Sequence, residues 1–273
     1  MRSHPTACEN QREVAVDHCR CASILKAAGR YDEADERYAL ALAAARACGD
    51  KGLEGTTLQH QGILAVDRRQ FHHAANLYQQ ALQRFQAADD QGAMMRTYTL
   101  LGTVEDNEGR LPEARAWYEK SRQLAVKLND QRSLGAAAQN IGIVLQREGE
   151  VAREQGDEPT ARLKFQAALS SVEESLRITQ ALGNKPDEAS AYSQLASIHL
   201  RLGDLDAADF HVHEARQIFE DFGLKDVYKT YHILSEIAEA RGDSAATAEW
   251  TRKRDAKIEE LKRLAGGSGG LPR

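Results

Sequence analysis

The chain is poor in the features that announce most folds and most chemistries. Aromatics make up only 6% of its 273 residues, with five prolines and four cysteines. Runs of β-branched residues and Asn-Gly or Asp-Gly hairpin signals are scarce, which argues against a sheet with a bulky core. No apolar run approaches the roughly 18 residues that a membrane-spanning helix needs. Glu9, Arg12, Glu13, Asp17 and Arg20 interrupt the first thirty residues, so no secretory signal is expected and the cytoplasm is the expected location.

A net charge of -5 gives no global reason to expect a nucleic-acid partner. The cysteines, Cys8, Cys19, Cys21 and Cys48, cluster near the N-terminus and are too sparse for a disulfide framework. They read as reduced structural thiols. On a helix, Cys19 and Cys21 point about 200° apart, so zinc held by Cys8, His18, Cys19 and Cys21 would require an irregular N-terminus. No metal or cofactor is expected. Phosphate loops, nucleophile elbows and His-Glu-x-x-His pairs are all missing. His72 with His73, and His211 with His213, read as surface pairs poorly placed for metal. Enzyme activity is not expected.

What the chain has is alanine and charged helix formers, within a 42% hydrophobic content. Its mean hydropathy of -0.57 is polar for a compact globule of this size and suits an elongated array. Internal periodicity then decides the fold. The segment from Gly29 to Ala34 is followed by Arg69 to Ala74 and Gly109 to Ala114, each 40 residues on. Gly156 to Ala161 and Gly203 to Ala208 continue the series. Four residues beyond each alanine stand Tyr38, Tyr78, Tyr118, Phe165 and Val212. Three further aromatics at that offset would arise by chance about twice in ten thousand trials. Three residues later come Ala41, Ala81, Ser121, Ala168 and Ala215, completing one stripe on one helix face.

The preceding helix carries Ala22, Gly62, Gly102, Gly142, Ala196 and Ser235 seven residues before the turn, where small residues let two helices approach closely. Tyr98, Leu101 and Gly102 form a second pattern, repeated by Tyr192, Leu195 and Ala196 and by Tyr231, Leu234 and Ser235. These residues resemble the tetratricopeptide repeat family across roughly residues 14 to 255. The resemblance implies an all-α fold: a right-handed alpha-alpha superhelix, or solenoid, of about six helical hairpins. Residues 1–13 would form an N-terminal tail, 14–264 a single solenoid domain, and 265–273 a flexible tail or fusion remnant. Arg69 departs from the usual turn glycine, and the sixth unit is one residue out of register around Ala246 and Trp250.

The period of 40 is about six longer than the family's common 34. Gly49-Asp50, Asp89-Asp90, Asn129-Asp130 and Gly183-Asn184 recur where each second helix should end and the next be capped. Such long repeats look like those of kinesin light chains and Pins-type adaptors, and related ones serve in bacterial signalling. The fourth unit is irregular. Its turn falls at Gly156, seven residues after the Gly149 that the period demands, and a second seven precede Asn184. Both helices of that hairpin should therefore be longer by about 10 Å, sealed by Val151, Leu169, Val172 and Leu176.

The resemblance implies that the first helix of each hairpin lines a concave, partner-binding side. Its inward positions would be Gln59, His60 and Ile63, then Thr99, Leu100 and Thr103, then Gln139, Asn140 and Ile143, then Ser193, Gln194 and Ser197. Amides and hydroxyls in such a wall can pair with an extended peptide backbone without demanding a charge. Arg96, Arg147 and Arg201 would lie at its edge. A protein or peptide partner is expected, with the adaptor role extending to a cytoskeletal, tubulin-like filament; a regulatory or sensor module is the alternative. Residues 252–263 read as a capping helix with six cations against three acids. Contact of that basic side with an anionic membrane is the less favoured reading, and a solvated cap the preferred one.

Overall fold

The computed structural model describes residues 7–266, side chains included for 8–264. Helices and short turns alternate through them. The helices are α1 (Ala7–Ala27), α2 (Tyr31–Ala47), α3 (Lys51–Asp67), α4 (Phe71–Ala87), α5 (Gln91–Asn107) and α6 (Leu111–Lys127). They continue as α7 (Gln131–Glu154), α8 (Glu158–Ala181), α9 (Lys185–Leu202), α10 (Leu205–Asp221), α11 (Val227–Ala240) and α12 (Ser244–Gly266). Residues 7–13 of the expected N-terminal tail open α1, and residues 1–6 of that tail and 267–273 of the expected C-terminal tail lie outside the described residues. No strand occurs among the described residues.

Left-handed backbone sets the beat. Gly29, Gly49, Arg69, Asp89, Gly109 and Asn129 all have positive φ and stand at twenty-residue intervals. Each lets the amide after it reach back into the closing helix: Asp50 N donates to Ala45 O and Gln70 N to Ala65 O. With the bond from the left-handed residue's own amide, Gly49 N to Arg46 O and Arg69 N to Val66 O, this pair of hydrogen bonds ends one helix and turns the chain in three residues. The next helix is then capped. Asp50 Oδ1 accepts from Leu53 N at 2.9 Å, Asp90 from Ala93 N at 2.8 Å, and Asn184 from Asp187 N at 3.4 Å. The recurring Gly-Asp and Asp-Asp pairs are thus a stop signal followed by a start signal.

The chain divides into two compact units, Met1–Asp130 and Gln131–Arg273. In the first, α1 packs on α2, α3 on α4 and α5 on α6, with neighbouring hairpins stacked through α2 on α3 and α4 on α5. The second repeats the scheme with α7/α8, α9/α10 and α11/α12. The expected stripe forms the core. Ala34, Ala74, Ala114, Ala161 and Ala208 are fully buried, and Tyr38, Tyr78, Tyr118, Phe165 and Val212 nearly so.

The small residues opposite make room for rings. A Cβ added at Gly62 would lie 2.3 Å from the Tyr78 ring, and one at Gly102 would lie 2.6 Å from that of Tyr118. In the fourth hairpin the same contact is made by Gly149 with Phe165, at 2.8 Å. Gly142, expected in that position, instead faces Val172. The insertion therefore adds one complete layer. α7 and α8 are 24 residues each against 17 for α3 to α6, which is seven more per helix as expected. Val172 is buried in this added region and Leu169 and Leu176 are half-buried, but Val151 is exposed and Ala152 takes the inward position.

At the C-terminal end, the expected capping segment 252–263 is no separate helix. It continues α12, whose Ile258 and Leu261 are half-buried while Leu264 is exposed. Four of its cations are paired locally: Lys253 with Glu249, Arg254 with Asp255, Lys257 with Glu260 and Lys262 with Glu259. No helix among the described residues is long and apolar enough to cross a membrane.

Candidate interaction groove

In the first unit, polar residues of the first helices tie neighbouring hairpins together. Gln59 Nε2 donates to Thr97 Oγ1 at 2.9 Å, and Cys19 Sγ lies 3.4 Å from Thr57 Oγ1. Thr57 and Thr97 are equivalent, one period apart, and both are fully buried. Gln59 is therefore a buried cross-link between α3 and α5. His60 is half-buried with its ring edge-on to Tyr38 at 5.9 Å, and burial pushes its pKa down, helped by Lys26. Thr99 shares a 2.9 Å hydrogen bond with Ser121, and Thr103 reaches the Tyr118 hydroxyl at 3.3 Å. Only Thr103 of these four is exposed; Ile63 and Leu100 are half-buried.

The second unit brings more of the expected residues to one place. An open cavity of about 660 Å³ is bordered by Gln139, Ile143, Ser193, Gln194 and Ser197. Asn140 lies instead beside a smaller cavity of about 240 Å³, which it shares with Gln139. The walls are cross-linked as in the first unit. Gln139 Nε2 donates to Gln194 Oε1, and Gln146 Nε2 donates to Ser197 Oγ at 2.9 Å. Arg201 then bridges Glu150 and Glu236, at 3.5 Å from each, joining α7, α9 and α11.

This ladder changes the role of the amides. Gln194 and Ser193 are only 9% exposed, and Gln194 spends its carbonyl on Gln139. Gln139 Oε1 and Gln194 Nε2 have no hydrogen-bond partner and are shut off from solvent. Reversing both amides would leave the same imbalance, one donor and one acceptor, because each side chain makes a single bond to the other. Buried polar atoms normally find partners.

The accessible rim comes from α11 and α12, beyond the last expected wall position, Ser197. Tyr228, Lys229 and His232 on α11, with Arg254 and Ile258 on α12, complete the lining. Its charges are nearly balanced, since Lys229 pairs with Asp226 at 3.1 Å and Arg254 with Asp255 at 2.8 Å. Apolar surface enters from Ile143, Ile233 and Ile258. A near-neutral lining of polar side chains whose accessible surface is mostly apolar suits an extended polypeptide better than a small anion. His232 stands three residues before Ser235, as Gln59 does before Gly62, so the repeat pattern already reached this rim.

Among the described residues, no group of three or more His, Cys, Asp or Glu could hold a metal ion. His72 and His73 are exposed as expected. His211 is not a surface residue: it is half-buried and stacked on Tyr192 at 5.9 Å and on His199 at 5.3 Å. The large neighbours of the α9/α10 hairpin trap it there.

A tetratricopeptide repeat family model matches residues 189–212, which span most of α9 and the start of α10. The chain carries a tetratricopeptide repeat. No curated protein matches it in sequence. Among solved structures it is similar to BtubC (BKLC) from P. vanneervenii, with 20% identity and a TM-score of 0.64, covering 98% of this chain and 95% of that one. It is similar to aspartyl phosphate phosphatase F from Bacillus subtilis, with 13% identity, a TM-score of 0.71 and coverage of 96% and 64%. A putative kinesin light chain repeat protein from Podosopora anserina matches at 14% identity and a TM-score of 0.59, covering 76% and 96%. These likenesses establish the tetratricopeptide-type, all-helical solenoid fold.

Proposed function

We propose that this protein is a non-catalytic interaction scaffold of the cytoplasm, and that the second unit's groove holds an extended segment of a protein partner. The observation that carries this reading is the groove itself. A space of about 660 Å³ takes a few side chains of a strand-like peptide, and its mixed amide, hydroxyl and aliphatic lining matches a polypeptide. Of the expected residues, Ser197 and the edges of Gln139 and Ser193 would meet the peptide, with Tyr228 and His232 closing over it. His60, Thr99 and Thr103 would line the corresponding face of the first unit, with Gln59 cross-linking the wall beneath them, and Asn140 the smaller neighbouring cavity.

The likeness to BtubC (BKLC) and to a putative kinesin light chain supports an adaptor for a tubulin-like filament as the finer reading. The likeness to aspartyl phosphate phosphatase F favours the second reading, a regulatory module of a signalling system. Affinity purification with quantitative mass spectrometry tests the shared claim, comparing wild type with a Tyr228→Ala, His232→Ala, Ser197→Arg variant. A partner lost by a folded variant supports groove recognition, and unchanged recovery rejects it. Co-sedimentation with a tubulin-like filament then separates the readings: pelleting with the filament favours the adaptor, and its failure beside binding to a phosphorelay protein favours the regulator.

A further inference from the structure

Two of the four cysteines meet at the open end of the first hairpin. Cys8 lies in the first turn of α1, and Cys48 caps the C-terminus of α2. Because the two helices run antiparallel, residues forty apart in sequence become neighbours. Cys8 Sγ donates to the Cys48 carbonyl at 3.3 Å. Cys48 Sγ is held by Ala45 O at 3.3 Å.

A second contact fixes the approach. Arg12, one turn beyond Cys8 on the same face of α1, pairs with Asp50 at 3.1 Å. The turn it grips contains Gly49, whose left-handed backbone sets where Cys48 and Asp50 point. The start of α1 is thus seated on the α2–α3 turn at two points, and a thiol 3.3 Å from the other cysteine's own carbonyl brings the two residues close enough for a side-chain rotation to bridge them. Cys8 is exposed, so a soluble oxidant can reach it. Cys19 is engaged with Thr57, and Cys21 is exposed elsewhere on α1.

We propose that Cys8 and Cys48 are a site of reversible disulfide formation, which clamps α1 onto the first hairpin under oxidising conditions. With oxidised glutathione as oxidant, one protein thiol is deprotonated and attacks the glutathione disulfide, releasing one glutathione thiolate. The second protein thiol, deprotonated in turn, displaces the other glutathione from the mixed disulfide. The two protein thiols lose two electrons to glutathione, and their two protons end on the two glutathione thiols. Desolvation, the Cys48 thiol, Asp50 and Glu9 all push the Cys8 pKa up. It is therefore a sluggish nucleophile whose reaction relies on the proximity of its partner. The closed loop holds only α1 and α2, so the stiffening is local to the first hairpin.

The test equilibrates the full chain in glutathione redox buffers, traps free thiols by alkylation and maps the peptides by mass spectrometry. The expected product is a peptide linking Cys8 to Cys48. It should be abolished by Cys8→Ser and by Cys48→Ser and retained in Cys21→Ser. Oxidised wild type should melt several degrees above the reduced protein, with no such shift in Cys8→Ser. Glutathione persisting on the two cysteines, a bridge joining any other pair, no linkage at all, or an oxidised protein no more stable than the reduced one would each overturn the proposal.

Discussion

Tyr78 packs its ring onto the backbone of Gly62, so closely that a Cβ there would stand 2.3 Å from a ring carbon. The contact recurs as Gly102 with Tyr118 and Gly149 with Phe165, and it sets how near the two helices of a hairpin lie. Helix propensity alone favours alanine over glycine at such a mid-helix site by about 1 kcal/mol. The Tyr78 ring is itself 1% exposed, so overpacking is expected to win. Gly62→Ala should destabilise the protein by about 1–2 kcal/mol net, read as a lower urea midpoint. A raised midpoint would show that the ring can move aside.

Arg69 supplies the opposite case. It sits with φ of 58° at a turn where eight glycines elsewhere hold the same left-handed role. A side chain in that region costs about 1–2 kcal/mol, part of which is returned because glycine is more flexible when unfolded. Arg69→Gly should therefore stabilise the fold by about 0.5–1 kcal/mol, measured by chemical denaturation. Lower stability would mean that the arginine side chain contributes a contact that outweighs the strain.

Much of this architecture could be read from the residues. The alanine and aromatic stripe, the left-handed turns and the seven-residue lengthening of α7 and α8 are all legible, because each reports a local steric need. Glu54 shows the limit. It is 1% exposed, between Lys51 at 2.7 Å and Arg84 at 3.1 Å, yet nothing in its neighbourhood marks it as buried. Likewise, Gln59 and Gln194 read as accessible wall, whereas they are cross-links between adjacent hairpins. Such pairings depend on how one repeat stacks on the next, which periodicity does not encode.

Glu54→Ala tests that buried pairing. It leaves the Arg84 guanidinium without its carboxylate at the α3/α4 contact. The expected loss is about 1–2 kcal/mol, because the buried carboxylate and its two ion pairs go while Arg84 and Lys51 keep part of their side chains in water, and urea titration reads it. A change within a few tenths would mean that Arg84 simply swings into water.

His211 makes the second unit sensitive to acid. Burial holds its pKa below the ordinary histidine value, with the stacked His199 acting the same way and Asp204 opposing them. The folded state thus binds the proton less readily than the unfolded chain. The histidine's contribution is complete above about pH 6.5 and is lost as the pH falls from there through the lower folded value. Trp250 fluorescence in a Trp117→Phe background follows the second unit's unfolding, since these are the two tryptophans. Its urea midpoint should fall on acidification, and His211→Gln should flatten the slope. A midpoint that rises with acid would contradict the assignment.

The most direct test of the scaffold reading places a photo-crosslinking amino acid at His232, which is exposed beside the groove, and in parallel at Leu163, which is 66% exposed on α8. Irradiated in cell extract, the position-232 protein should form a discrete adduct with a polypeptide that the position-163 protein does not form. Equal adducts at both positions, or none at 232, would contradict recognition through the groove.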